Sequence, residues 1–112
     1  DGRRVIGSRT LDLMTKNHLP GGKDLASLAL GLFSETDNEG IGFGLGFAMT
    51  LDQVKTGGLS RADYYWGGAA STIFWVDPAE DLSVVFMTQL MPSNAFNFRG
   101  QLKTLIYSAF TD

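Results

Sequence analysis

Few side chains in this sequence are equipped for chemistry, and their spacing limits what they can do. There is no cysteine, which removes a thiol nucleophile, a zinc ribbon and a disulfide framework. The one histidine, His18, has no second histidine or cysteine to share a metal. It reads as a solvent-facing residue at a helix C-terminus; no spacing brings a serine beside it for a Ser-His-Asp triad. Asp77, Glu80 and Asp81 resemble paired carboxylates, but with Pro78 between them they read as a solvated turn. Gly42, Gly44 and Gly46 alternate with large residues as G-x-G-x-G. That is neither the dinucleotide nor the phosphate-loop spacing. A row of glycines inside a strand instead predicts that something approaches its bare face closely. Two short runs remain: Lys55-Thr56-Gly57, and the small-residue run Trp66-Gly67-Gly68-Ala69-Ala70.

The elements that must position these residues are bounded by composition. The chain has 112 residues, room for a single domain spanning 1–112. Hydrophobic residues at 44% and aromatics at 12% predict a modest core and argue against disorder. No apolar run approaches the roughly 18 residues of a membrane helix. Nine Lys and Arg against 12 Asp and Glu leave a net charge of −3, with no basic stripe to track phosphates. Neither a membrane nor a nucleic acid is expected as partner. A soluble, cysteine-free chain suits the cytoplasm and the periplasm alike. Fourteen glycines are too many for a helical bundle and point to a sheet protein.

Along the chain, Ser8 is a candidate N-cap for a helix over Arg9–Asn17, ended by Pro20 and Gly21-Gly22. Residues 23–39 read as a long loop with one helical turn. The period-two pattern of residues 40–50 predicts one strand with bulky Ile41, Phe43, Leu45, Phe47 and Met49 on one face. Residues 51–63 are a polar connection. Tyr64–Val76 reads as a second strand, Asp77–Asp81 as a turn, and Leu82–Gln89 as the return strand of a hairpin. After Pro92-Ser93-Asn94 comes a final helix, with Phe98, Leu102, Leu105, Ile106, Ala109 and Phe110 on one face and Arg99, Gln101, Lys103 and Thr104 on the other. The expected fold is α+β: an antiparallel sheet of about three strands covered by N- and C-terminal helices.

Four segments occur in a set order: Gly42-Phe43-Gly44-Leu45-Gly46-Phe47, Trp66-Gly67-Gly68-Ala69-Ala70, Phe74-Trp75-Val76-Asp77-Pro78 and Val85-Phe86-Met87-Thr88-Gln89. Together with Leu13-Met14-Thr15-Lys16-Asn17-His18-Leu19-Pro20, they resemble the C-terminal part of the serine β-lactamase-like family, which includes penicillin-binding proteins. Within it the likeness is to class C β-lactamases and family VIII esterases, and it runs through essentially all of the chain. The resemblance implies the C-terminal portion of the β-lactamase/transpeptidase-like fold and acyl-enzyme hydrolysis of an ester or a β-lactam, with no cofactor or metal. In that family a serine of an S-x-x-K motif is the nucleophile, and a third motif, K-T-G or W-G-G, lines the site. Trp66-Gly67-Gly68 matches the third motif by position. The resemblance then makes Trp66, Gly67, Gly68 and Ala69 substrate-binding, with Trp66 as a pocket wall and the Ala69 N–H as an oxyanion donor. Small residues there allow backbone donors to come within about 3 Å of the oxygen where charge develops. The absence of a lysine at this place favours an ester over a carboxylate-bearing β-lactam. Lys55-Thr56-Gly57 spells the motif but lies in the polar connection, far from the hairpin.

The sequence also departs from the family. None of the serines is followed by lysine three residues on: Ser8, Ser27, Ser34, Ser60, Ser71, Ser83, Ser93 and Ser108 precede Leu11, Leu30, Asp37, Asp63, Phe74, Phe86, Phe96 and Thr111. The family's assisting tyrosine motif, Y-x-N, is missing as well: none follows from Tyr64, Tyr65 or Tyr107. The chain starts at Asp1, not Met, and reads as the last third of a larger catalytic fold, inactive alone. The alternative is a non-catalytic structural or self-association module derived from that fold. In the family, N-terminal strands pair beside the last strand. Without them Leu82–Gln89 is an open edge, and the isolated chain is expected to dimerise through it or to exchange an element between copies.

Overall fold

A computed structural model describes residues 2–28 and 38–111. Its elements are α1 (Ser8–Met14), a 3₁₀ turn (Pro20–Gly22), α2 (Leu25–Leu28), β1 (Ile41–Phe43), β2 (Ala48–Thr50), α3 (Gln53–Thr56), β3 (Tyr64–Gly67), β4 (Ile73–Asp77), β5 (Leu82–Phe86) and α4 (Phe98–Tyr107). The fold is α+β. All strand pairs are antiparallel and their order follows the chain, β1-β2-β3-β4-β5.

The sheet has five strands, not three, because two predicted strands are each folded into a hairpin. Residues 40–50 bend at Leu45-Gly46: the Gly44 N–H donates to the Phe47 carbonyl at 2.8 Å, and Gly46 takes φ 103°, a conformation glycine adopts at no steric cost. Tyr64–Val76 bends between Gly67 and Ile73. The last hairpin forms where expected, with Asp77 paired to Leu82 and Ile73 to Phe86, but Asp77 belongs to β4 and not to the turn, and β5 ends at Phe86 instead of Gln89. Of the long loop predicted over 23–39, the structure shows one helical turn at Leu25–Leu28; residues 29–37 lie outside the described residues.

The glycine row meets its own chain. A Cβ on Gly44 would lie 2.1 Å from the Met14 carbonyl oxygen, and one on Gly42 would lie 2.8 Å from the Asn17 side chain. The segment after α1 therefore packs against β1 through the space those glycines leave. It also covers the outer edge of β1: the Phe43 N–H donates to Asn17 Oδ1 at 3.1 Å, and the His18 N–H donates to the Phe43 carbonyl at 2.8 Å. These bonds end α1 at Met14 instead of Asn17. Gly7, not Ser8, is the N-cap, and no side chain caps it.

Ile73, Trp75 and Asp77 point to one face of the sheet, with Tyr65 and Val84 in register beside Trp75. α4 packs on this face. Tyr64, Trp66, Phe74 and Val85 point to the other. Among the described residues, the buried apolar side chains are only Ala48, Met49, Ile73 and Trp75, alongside buried Ser60, Asp63, Ser71 and Asp77. The core is thus half polar, and each buried polar group needs a partner.

Candidate functional site

The W-G-G run sits at the end of β3 and enters a tight turn. The Gly68 N–H donates to the Thr72 carbonyl at 3.0 Å and the Ser71 N–H to the Gly68 carbonyl at 3.1 Å. Ser71 has φ 68°, at a hairpin position that usually takes glycine. Its buried hydroxyl donates to the Leu90 carbonyl at 2.7 Å, and the Leu90 N–H returns a bond to the Ala70 carbonyl at 3.1 Å. The strand exit is thereby tied to the turn. Ala69 is exposed at the tip, and among the described residues its N–H meets no acceptor.

Trp66 is 41% exposed and stands edge-on to Phe43, ring centroids 5.1 Å apart. Beside it lies a groove of about 270 Å³ whose lining includes Gly67, Gly68, Phe74, Val85 and Met87 and carries no charged side chain. The structure gives the small residues a different reason from the one expected. A Cβ on Gly67 would lie 2.5 Å from Arg99 Cζ, and one on Gly68 would lie 2.3 Å from Thr72 Oγ1. Glycine makes room here for the protein's own side chains.

Three residues that sequence reasoning left in solvent or in ordinary packing hold α4 to the sheet. Arg99 Nη2 donates to the Gly68 and Thr72 carbonyls at 2.8 and 3.0 Å. Lys103 Nζ donates to Asp63 Oδ2 and lies 4.3 Å from the centre of the Tyr65 ring. The Tyr107 hydroxyl donates to Asp77 Oδ2 at 2.7 Å. The spacing of four places these three on one stripe. The helix is therefore rolled relative to the predicted apolar face: Leu105 is 70% and Phe110 43% exposed. It begins at Phe98, capped by Asn97 Oδ1 on the Gly100 N–H at 3.1 Å, later than Pro92-Ser93-Asn94 suggested.

Asp77 corrects a second expectation. It is fully buried, while Glu80 and Asp81 are exposed. Burial pushes its carboxyl up, but bonds from Ser60, Tyr107 and the Ala79 and Glu80 N–H groups outweigh burial and hold it below its ordinary range. Burial, reinforced by the Asp63 charge, raises the Tyr65 phenol. Burial also raises Tyr107, which donates to a carboxylate.

The remaining candidates are structural. Lys55-Thr56-Gly57 closes α3, where Gly57 is the left-handed C-cap at φ 62°. His18 is exposed, and its Nε2 donates to the Leu13 carbonyl at 2.8 Å. Trp75 is core. Among the described residues no three His, Cys, Asp or Glu converge to hold a metal, and no helix is long and apolar enough to cross a membrane. The chain matches no protein-family model and no curated protein.

Proposed function

We propose that this chain supplies the oxyanion side of a serine acyl-transfer site of the β-lactamase and esterase kind, with the nucleophile and its lysine coming from residues other than these 112. One observation carries the reading: Ala69 is exposed and, among the described residues, its N–H has no acceptor, on a turn tied by Arg99 beneath and Leu90 beside it, next to a groove walled by Trp66. Attack by a serine hydroxyl on an acyl carbonyl moves an electron pair onto the carbonyl oxygen. A fixed N–H aimed at that oxygen lowers the barrier, because it needs no reorganisation as the charge forms. The uncharged apolar groove suits an ester's acyl or alcohol group and offers no cation for the carboxylate of a β-lactam.

The first test is turnover by the 112-residue chain on a short-chain ester and a chromogenic β-lactam. No hydrolysis above buffer is expected; turnover sensitive to a serine reagent overturns the placement of the nucleophile outside this chain. The second test uses the open reading frame continuous with Asp1, which should encode Ser-x-x-Lys upstream. In that longer protein, Ala69→Pro keeps a turn position that proline suits but deletes the N–H. A fall in kcat of about 10²–10³ with KM little changed is expected for a lost oxyanion donor; unchanged kcat removes Ala69 from the role.

A further inference from the structure

The Ala69 N–H shares its peptide unit with the Gly68 carbonyl. That unit is trans, so its C=O and N–H point in opposite directions in one plane. Whatever holds the carbonyl therefore aims the N–H. Arg99 Nη2 donates to this carbonyl at 2.8 Å, and the Ser71 N–H donates to it at 3.1 Å. The same Nη2 donates to the Thr72 carbonyl at 3.0 Å, which also accepts from the Gly68 N–H at 3.0 Å. One nitrogen thus spans both ends of the turn. Further along α4, Lys103 and Tyr107 reach carboxylates, those of Asp63 and Asp77. Arg99 reaches backbone instead: among the described residues its guanidinium meets no carboxylate, and its buried Nε has no partner. Keeping a cation there with a donor unmet costs free energy that a tie made by neutral groups would avoid.

We infer that Arg99 is a positioning residue for acyl transfer: through the Gly68 carbonyl it aims and strengthens the Ala69 N–H as an oxyanion donor. This rests on the acyl-transfer reading of the turn. Two effects act together. With the carbonyl held inward on Arg99, the N–H is fixed outward, and the peptide need not rotate as charge forms on the acyl oxygen. A charged donor on the carbonyl oxygen also draws electron density from the peptide nitrogen, and hydrogen bonds linked in this way reinforce one another. Gly67 is part of the device. A Cβ there would lie 2.5 Å from Arg99 Cζ and 2.6 Å from Nη2, the nitrogen that makes both bonds. The bare residue admits the cation to the underside of the turn, while Ala69 two positions on faces the opposite way.

The test is kinetic, on a short-chain ester, in the longer protein encoded by the reading frame continuous with Asp1. Arg99→Met keeps an apolar stem and removes the donors. It should lower kcat about ten- to a hundredfold with KM little changed, the scale of a misplaced catalytic group. Gly67→Ala, which displaces the guanidinium, should act in the same direction. Lys103→Met loosens the same helix without touching the turn and should leave kcat unchanged. In Ala69→Pro, which has no N–H to aim, adding Arg99→Met should lower kcat no further. Thermal melts establish that each variant is folded at the assay temperature. An equal loss of kcat in Lys103→Met overturns the inference, because general loosening then accounts for it. So do losses in Arg99→Met and Ala69→Pro that multiply in the double variant. If Ala69→Pro lowers kcat and Arg99→Met does not, the inference alone fails. If Ala69→Pro leaves kcat unchanged, or the reading frame holds no Ser-x-x-Lys, the acyl-transfer reading fails and takes the inference with it.

Discussion

The Arg99 guanidinium fills the space that a side chain at position 67 would need: a Cβ on Gly67 would lie 2.5 Å from Arg99 Cζ. The two positions therefore act as one unit. Gly67→Ala should displace the guanidinium from the Gly68 and Thr72 carbonyls and cost about 1–3 kcal/mol, the scale of hydrogen bonds to a charged group. Arg99→Ala should cost a similar amount. The double variant should fall short of the sum by about 0.5 kcal/mol or more. Urea denaturation of the four chains measures the cycle; strict additivity would show that the displacement does not occur.

Lys103 and Asp63 form an ion pair in which the Asp63 side chain is fully buried and the Lys103 side chain is 24% exposed. Asp63 also accepts from Thr50 Oγ1 at 2.5 Å. Lys103→Met should cost about 2–3 kcal/mol, below the range for a fully buried pair because water still reaches the amine. Adding Asp63→Asn should recover part of that loss, since the charge left without its partner is removed. Thermal melts of the three chains test the order of stability.

Acid should loosen the protein at two carboxylates. The Ser27 hydroxyl, the Gly40 N–H and the Ser27 N–H hold Asp24 down at about 2, and Asp77 also lies below its ordinary value. A carboxyl whose folded value is depressed binds its proton less readily in the folded state than in the unfolded one. Its stabilisation is then complete above about pH 4–5 and is lost as pH falls through the folded value. The urea midpoints of wild type and Asp24→Asn should differ by a constant amount near neutrality and converge from about pH 4 down to about pH 2. Asp77→Asn should converge in the same direction. A gap that widens on acidification contradicts the assigned sign.

Glycine positions should separate sharply. Gly44→Ala meets the Met14 backbone at 2.1 Å, so the segment after α1 must move, at a cost of about 3 kcal/mol or more. At Gly58 the nearest atom to an added Cβ is Thr56 Oγ1 at 3.5 Å, and alanine there should stay within about 0.5 kcal/mol. Chemical denaturation of the two variants makes the comparison.

What could be read from sequence follows from where the physics is local. The Asp77–Asp81 turn and β5 are legible because turn residues sit between period-two runs. The β1–β2 hairpin is not, since Leu45 and Gly46 keep the alternation in phase through the bend and the run looks continuous. The apolar stripe of α4 predicted Leu105 and Phe110 inside. The helix instead faces Asp63, Asp77 and two turn carbonyls, so Arg99, Lys103 and Tyr107 turn inward. That floor is assembled from residues distant in sequence, and no helical periodicity reports it. Trp66-Gly67-Gly68-Ala69 stood out as a small-residue run and through its likeness to a motif, whereas Arg99, which props the run from below, carried no local signal.

The turn between β3 and β4 also has an electrical character. The carbonyls of Gly68, Ala70 and Thr72 all point their negative ends at donors, and Arg99 places a full positive charge beneath them. Among the described residues no carboxylate pairs with that guanidinium. The oxygens' dipoles are thus largely cancelled from within, while the cation and the outward Ala69 N–H are not. The turn's carbonyls are occupied from within, and the Ala69 N–H is left as an open donor at its tip among the described residues.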